Sequence, residues 1–311
     1  MADSPKVPGF EPLRLLGVGG RSVVWLVRRT AAAEHTVSWV GQGAPSTLAL
    51  KLPLDTARST PALRCSREEL RAMLPLAHEH LVRPWGVLRT PGSAAGLVLQ
   101  PYTAGSLAQL LRATDSLSMG ETVTALTPIA QAVSHVHTCG AAHGDISAAN
   151  ILLTPEGRPA LADLGDAVLL GMETSFGSPQ QDVTALAQVA WLCLTGRAPE
   201  HSSWRVPLQS LRPEIPDHMV ELLEAALSPQ AAEQPSAGEF ASELYFSAEP
   251  EPLNLLRHID DAALTEMPTR LPDTPKPGPR GWWTRLRHRV RSVYSPSWAS
   301  KLPSSSRDFS V

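Results

Sequence analysis

The sequence predicts an α+β fold of two lobes, a small N-terminal β-sheet lobe with one helix and a larger, mainly helical C-terminal lobe. Three observations predict it. Apolar residues alternate along 9 to 29 and return in short runs up to residue 100, the period of half-buried strands. Inside that region Pro61 to Ala77 switches to helical spacing, with Leu63, Leu70, Met73, Leu74 and Ala77 on one side and charged groups opposite. After Gly105 the helical period dominates, broken by short apolar runs between 141 and 170.

Taken in order, FEPLRLL and SVVWLVRR read as two strands around the turn GVGG. The stretch AAAEHTVSWVGQGAPST reads as an open loop before the apolar strand LALKLP. Strand character returns at 81 to 88 and 96 to 100. SLAQLLRA opens the second lobe as a helix, and Val123, Leu126, Ile129, Val133 and Val136 mark a second over 121 to 138 that Gly140 caps. Further helices are expected at about 180 to 195, 216 to 227 and 236 to 246. The domain therefore runs from 9 to 246, with lobes 9 to 100 and 105 to 246. Residues 247 to 281, rich in proline, read as a linker, and 282 to 311 as a basic tail.

Bulk properties exclude several classes. A chain of 311 residues needs no disulfide scaffold to bury a core. Cys65, Cys139 and Cys193 are odd in number, widely spaced and lack a C-x-x-C pair, which argues against a zinc site and fits a reducing cytoplasm. The start, MADSPKVPGF, is no signal peptide, and no apolar run nears the roughly 20 residues of a membrane span. The expected location is cytoplasmic. The formal charge of -3 is split, because residues 276 to 311 carry eight Lys/Arg and only Asp308, while the rest is acidic.

Chemistry-bearing residues fall in three places. The turn Gly17-Val18-Gly19-Gly20-Arg21-Ser22 leaves backbone N–H groups open to phosphates, although such a hairpin is also a plain turn. Lys51, one of four lysines, sits in the apolar strand Ala49-Leu50-Lys51. Burying an ammonium there is costly unless a carboxylate meets it. Glu69 is the natural partner and Glu68 the other register; the bland alternative is a lysine snorkelling from an edge strand. Finally HGDISAANILLTPEGRPALADLGDA brings Asp145, Asn150 and Asp163 within nineteen residues. Two carboxylates and an amide oxygen suit Mg²⁺ on phosphates, with one carboxylate left to deprotonate a hydroxyl; both aspartates also stand near glycine, as turn residues do.

Over residues 9 to 246 the chain resembles the eukaryotic-type Ser/Thr protein kinases of bacteria. The resemblance rests on LGVGGRSVV, LALK, HEHLVRPWGV, LVLQPYTAGSL, HGDISAAN, ADLG, DVTALAQVAWLCLTGRAPE and AAEQPSAGEF in that order. It implies a kinase-like fold that binds ATP with Mg²⁺. Gly17, Val18 and Gly19 would then cover the phosphates, and Lys51, paired with Glu69, would hold them. Asp145 would be the catalytic base, and Asn150 and Asp163 the metal ligands. Val24, Ala49, Leu99 and Leu152 would enclose the adenine, with backbone groups at Gln100 to Tyr102 on its polar edge. Asp182 would fasten the loop around His143.

Departures from the family pattern shape the functional expectation. Ser22 replaces the third glycine, Gly144 an arginine and Ser147 a phosphate-contacting lysine. Only eighteen residues separate Asp163 from Asp182, no A-P-E motif is present, and Gln234 stands where an arginine pairs with that motif. Thr174, Ser175 and Ser178 offer hydroxyls, yet without the arginine at 144 phosphorylation of this segment is not expected to control the domain. Three readings stay open: an active kinase that is slow or restricted in substrate, a nucleotide-binding pseudokinase acting as a scaffold, and an aminoglycoside-like small-molecule phosphotransferase. A protein substrate or regulatory partner is expected, without specific nucleic acid. In the tail, Trp282, Trp283, Leu286, Val290 and Val293 line one side of a potential helix among arginines, which suits an anionic membrane surface; docking and disorder are the bland alternatives.

Overall fold

The computed structural model describes residues 5–19, 22–54, 60–88, 96–164, 177–200 and 205–255, with 60–65 described by backbone alone. The expected basic tail, most of the linker and the residues between Leu164 and Gly177 lie outside this set.

The small lobe is one six-stranded sheet in the order β1-β2-β4-β6-β5-β3. Its strands are β1 (Phe10–Val18), β2 (Ser22–Arg29), β3 (Val37–Trp39), β4 (Thr47–Pro53), β5 (Pro84–Leu88) and β6 (Leu97–Leu99). All pairings are antiparallel, and Lys51 stands opposite Val24 on one side and Leu97 on the other. The stretch expected to be an open loop is in fact structured. It forms α1 (Ala33–Thr36) and β3, whose three residues pair with β5 and make it a covered rather than a free edge. A three-residue strand is too short to show a period, and its partner lies far along the chain, so sequence alone hides it.

The longer helix of this lobe, α2 (Thr60–Met73), passes into a 3₁₀ turn over Leu74–Leu76 with Pro75 near its start. Pro75 has no N–H to continue an α-helical ladder, so the helix stops short of Ala77. The strand expected from residue 81 begins at Pro84. Leu81 instead makes a parallel bridge to Leu161, flanked by Leu161 N–H to His80 O at 2.8 Å and Val82 N–H to Leu161 O at 3.0 Å. These bonds tie the two lobes together behind the connector.

The large lobe contains α3 (Leu107–Thr114), α4 (Met119–Thr138), α5 (Pro179–Thr195), α6 (Leu208–Leu211), α7 (Asp217–Ala226) and α8 (Ala237–Ser247), plus the hairpin β7 (Ile151–Leu153) and β8 (Pro159–Leu161). Ser106, Ser118, Ser178 and Ser236 cap α3, α4, α5 and α8, each reciprocated by Gln or Glu three residues on. The core is a single cluster around α4 and α5, with Trp191 and Phe240 among its largest buried side chains; burying each such ring contributes about 3 kcal/mol.

Residues 248–255, assigned from sequence to the linker, lie against the domain. Thr124 Oγ1 donates to Glu251 O at 2.7 Å, Ser118 bonds the Glu251 carboxylate, and Leu255 is buried in the core. A side chain at Gly120 would strike Glu249 O and Glu251 Cγ at 2.5 Å, so glycine there is what admits the strap.

Candidate active site

Lys51 lies on β4, two residues from the end of that strand, where its stem crosses apolar ground and its ammonium emerges into the cleft between the lobes. Its Nζ is 2.9 Å from Glu69 Oε1 on α2 and 2.6 Å from Asp163 Oδ1 beyond β8. Burial pulls its pKa down, but Asp163 and then Glu69 outweigh that loss and hold it above the usual lysine value. The ammonium therefore stays charged at neutral pH. Glu68, the other register, faces solvent.

Across the cleft the loop after α4 supplies the remaining polar groups. Asn150 donates from Nδ2 to Asp145 Oδ2 and to Asp145 O, each at 2.9 Å, which leaves its amide oxygen as the atom suited to a cation. Asp163 holds a left-handed backbone, φ 51°, a conformation aspartate tolerates better than most side chains. Asp182 on α5 is 1 % exposed and binds this loop from beneath. It accepts the His143 N–H at 2.7 Å, the Gly144 N–H at 2.8 Å, and a contact from His137 Nε2 at 2.8 Å. His143 is buried, its ring Nδ1 accepts the Asp145 N–H at 3.3 Å, and burial lowers its pKa.

The apolar residues expected around a base come together. Val24, Ala49, Leu99, Tyr102 and Leu152 belong to one cluster that spans the two lobes at the connector, with Gln100 bonded through its N–H to Arg83 O at 2.9 Å. Leu16 joins the same cluster and was missed from sequence, although its place just before Gly17 could have marked it. At the turn, Gly17 and Val18 end β1 and the Gly19 N–H bonds Ser22 O at 2.8 Å. Among the described residues a Cβ on Gly17 would meet nothing within 4 Å, so the turn is open on that side.

The departures also find physical settings. A Cβ on Gly177 would sit 3.0 Å from Gly144 Cα, so the chain entering α5 packs directly on the glycine that stands where the resembled family usually has an arginine. Both glycines have positive φ. Ser178 is committed as the α5 cap, while Thr174 and Ser175 lie outside the described residues. Gln234 uses neutral hydrogen bonds, to Thr184 Oγ1 at 3.0 Å and Ser228 O at 2.8 Å. His137, which shares Asp182 with the loop, had no sequence signal because its partner lies 45 residues away.

A family profile described as "Protein kinase domain" matches residues 10–200. Serine/threonine-protein kinase PknK of Mycobacterium tuberculosis is 27% identical over 271 residues, covering 76% of this chain and 23% of PknK. Serine/threonine-protein kinase PknA of the same organism is 25% identical over 264 residues, covering 73% of this chain and 58% of PknA. Maternal embryonic leucine zipper kinase of Danio rerio is 33% identical over 187 residues, 58% of this chain and 25% of that protein. The chain thus spans less than two thirds of the length of these curated relatives.

Proposed function

The chain belongs to the protein kinase family, and from that premise we propose that it transfers the γ-phosphoryl group of Mg·ATP to a Ser or Thr hydroxyl, slowly or on a restricted substrate. The observation that carries the reading is Lys51, whose ammonium is held at once by Glu69 and Asp163 across the cleft from Asp145 and Asn150. A charged lysine so placed positions phosphates. The family generally uses ATP with Mg²⁺, and the residues present fit them: an apolar slot for a base, an open glycine turn, and two oxygen donors, Asp163 and Asn150, of the kind Mg²⁺ takes. When bound, Mg·ATP supplies the phosphoryl group and a cation that offsets its charge.

The chain's own groups do the rest. Glu69 keeps Lys51 aimed into the cleft. Asp145, steadied by Asn150, orients the acceptor hydroxyl and takes its proton. Asp182 fixes the loop that carries Asp145, so the base is preorganised rather than found by fluctuation.

One observation favours a second reading, a pseudokinase scaffold. Ser147 brings no positive charge where a lysine is usual, and losing one such stabilising contact typically costs ~10²–10³ in rate. Purified chain with Mg·[γ-³²P]ATP, alone, with generic proteins and with small alcohols, separates the readings by where label appears. Lys51→Met must abolish binding or labelling, and Ser147→Lys must raise the rate. Binding without any label leaves the scaffold. No nucleotide binding by calorimetry at millimolar ATP ends both readings. The partner is proposed to be a protein substrate or regulator, with an anionic membrane as the contact of the basic tail.

A further inference from the structure

We propose that Arg14 is a positioning residue that sets the height of the base slot, an inference that rests on the nucleotide reading above. Two register shifts in the β1–β2 ladder, between Pro12 and Arg14 and between Leu15 and Gly17, bracket Arg14. Such irregularities re-aim side chains at the edge of a sheet. Here Arg14 crosses from the small lobe to the connector, where its Nη2 donates to Thr103 O at 3.2 Å, a bond between residues 89 apart in sequence.

Both ends of that bond are tied to the slot. On the upper side Leu16, two residues beyond Arg14 on the same strand, packs with Val24 in the apolar cluster. Below, Thr103 follows Tyr102, and the next residue, Ala104, donates its N–H to Leu153 O at 3.1 Å, beside Leu152 of the floor. The path Leu16–Arg14–Thr103–Ala104–Leu153–Leu152 therefore links roof to floor at the connector. A guanidinium bound to a buried residue's carbonyl is a stiff strut, because its charge strengthens the bond and its planar head fixes direction. Arg14 thus tunes affinity for the flat base and leaves the phosphate groups, held by Lys51 and the glycine turn, untouched.

The test compares Mg·ATP with Mg·tripolyphosphate, which carries the phosphates without a base, by calorimetry on the full chain. Arg14→Met should weaken Mg·ATP about tenfold, the loss expected for one charge-assisted bond at a partly exposed site, and leave tripolyphosphate within about twofold. Arg14→Lys, which keeps the charge but loses the planar head, should fall between the native chain and Arg14→Met for Mg·ATP and leave tripolyphosphate within about twofold. If Arg14→Met proves unfolded by its far-UV spectrum, Arg14→Gln, too short for Thr103, takes its place with the same expectation. Unchanged ATP affinity, or a parallel loss of both ligands, overturns the strut. A native chain that binds neither ligand overturns the nucleotide reading, and the strut falls with it.

Discussion

Replacing Asp182 by alanine should cost the domain about 3–5 kcal/mol, the range measured when one partner of a buried charged cluster is removed. The figure can be built from the contacts. The His143 N–H is buried, and leaving it without an acceptor costs about 1–3 kcal/mol. Gly144 is exposed, so water replaces Asp182 at its N–H and that loss adds only a few tenths to about 1 kcal/mol. The 2.8 Å contact with His137 contributes about 1.5 kcal/mol more as a bond to a charged acceptor. At roughly 2–4 °C of melting temperature per kcal/mol for a domain of this size, the shift is about 10 °C. Far-UV circular dichroism during heating and urea titration measures it. The same change frees the loop carrying Asp145, and if Asp145 is the base as proposed, phosphoryl transfer should fall about 10²-fold, as expected for a base displaced by an ångström. Nucleotide affinity should change little, because Lys51 and Glu69 make no bond to Asp182. An Asp182→Ala chain melting within about 2 °C of the native one, or one that loses ATP affinity as steeply as transfer, would refute this account of the loop.

Three further outcomes are expected. A chain ending at Ser247 should be about 3 kcal/mol less stable than one ending at Leu255, since it lacks the buried Leu255 and the Thr124–Glu251 bond; equal urea midpoints would mean that the strap adds nothing. Burial, then His80 and His135, hold the His78 pKa down at about 4 against an ordinary 6.5. A depressed histidine takes its proton first in the unfolded chain. Stability should therefore fall as pH drops from 6.5 to about 4, by on the order of 1–2 kcal/mol after allowing for solvent screening, and His78→Asn should flatten that limb in stability-versus-pH titrations. For the tail, the full chain should sediment with anionic but not neutral liposomes, and removal of residues 276 to 311 should abolish this; equal sedimentation of both forms would leave the membrane idea without support.

The residues of the candidate site stood out in the sequence more than the fold's irregular parts did, for a physical reason. Lys51 stood out because charge in an apolar strand demands a partner, and Asp145, Asn150 and Asp163 because carboxylates crowded among apolar runs need a ligand or a bond. The helices of the large lobe were legible because apolar period is a local signal, and α5 begins one residue before its expected start. What escaped depends on distant partners. β3 gains its identity only from β5, the strap at 248–255 only from Gly120 and Thr124, and His137 only from Asp182. Arg14 is the same kind of case: nothing near it in sequence announces Thr103.

The serine caps of α3, α4, α5 and α8 bear on the order in which the chain folds. Each of these helices is started by a pair of residues three apart, so its first turn can form while the rest of the chain is still unfolded. The small-lobe sheet is local only in its β1–β2 hairpin; to complete it β4 must find β6 with α2 and β5 intervening, and Ala49 pairs with Leu99 only after a long loop has closed. Non-local pairing of this sort is slow. The large lobe should therefore gain hydrogen-exchange protection first, and the cleft should exist only once the later lobe has settled upon it.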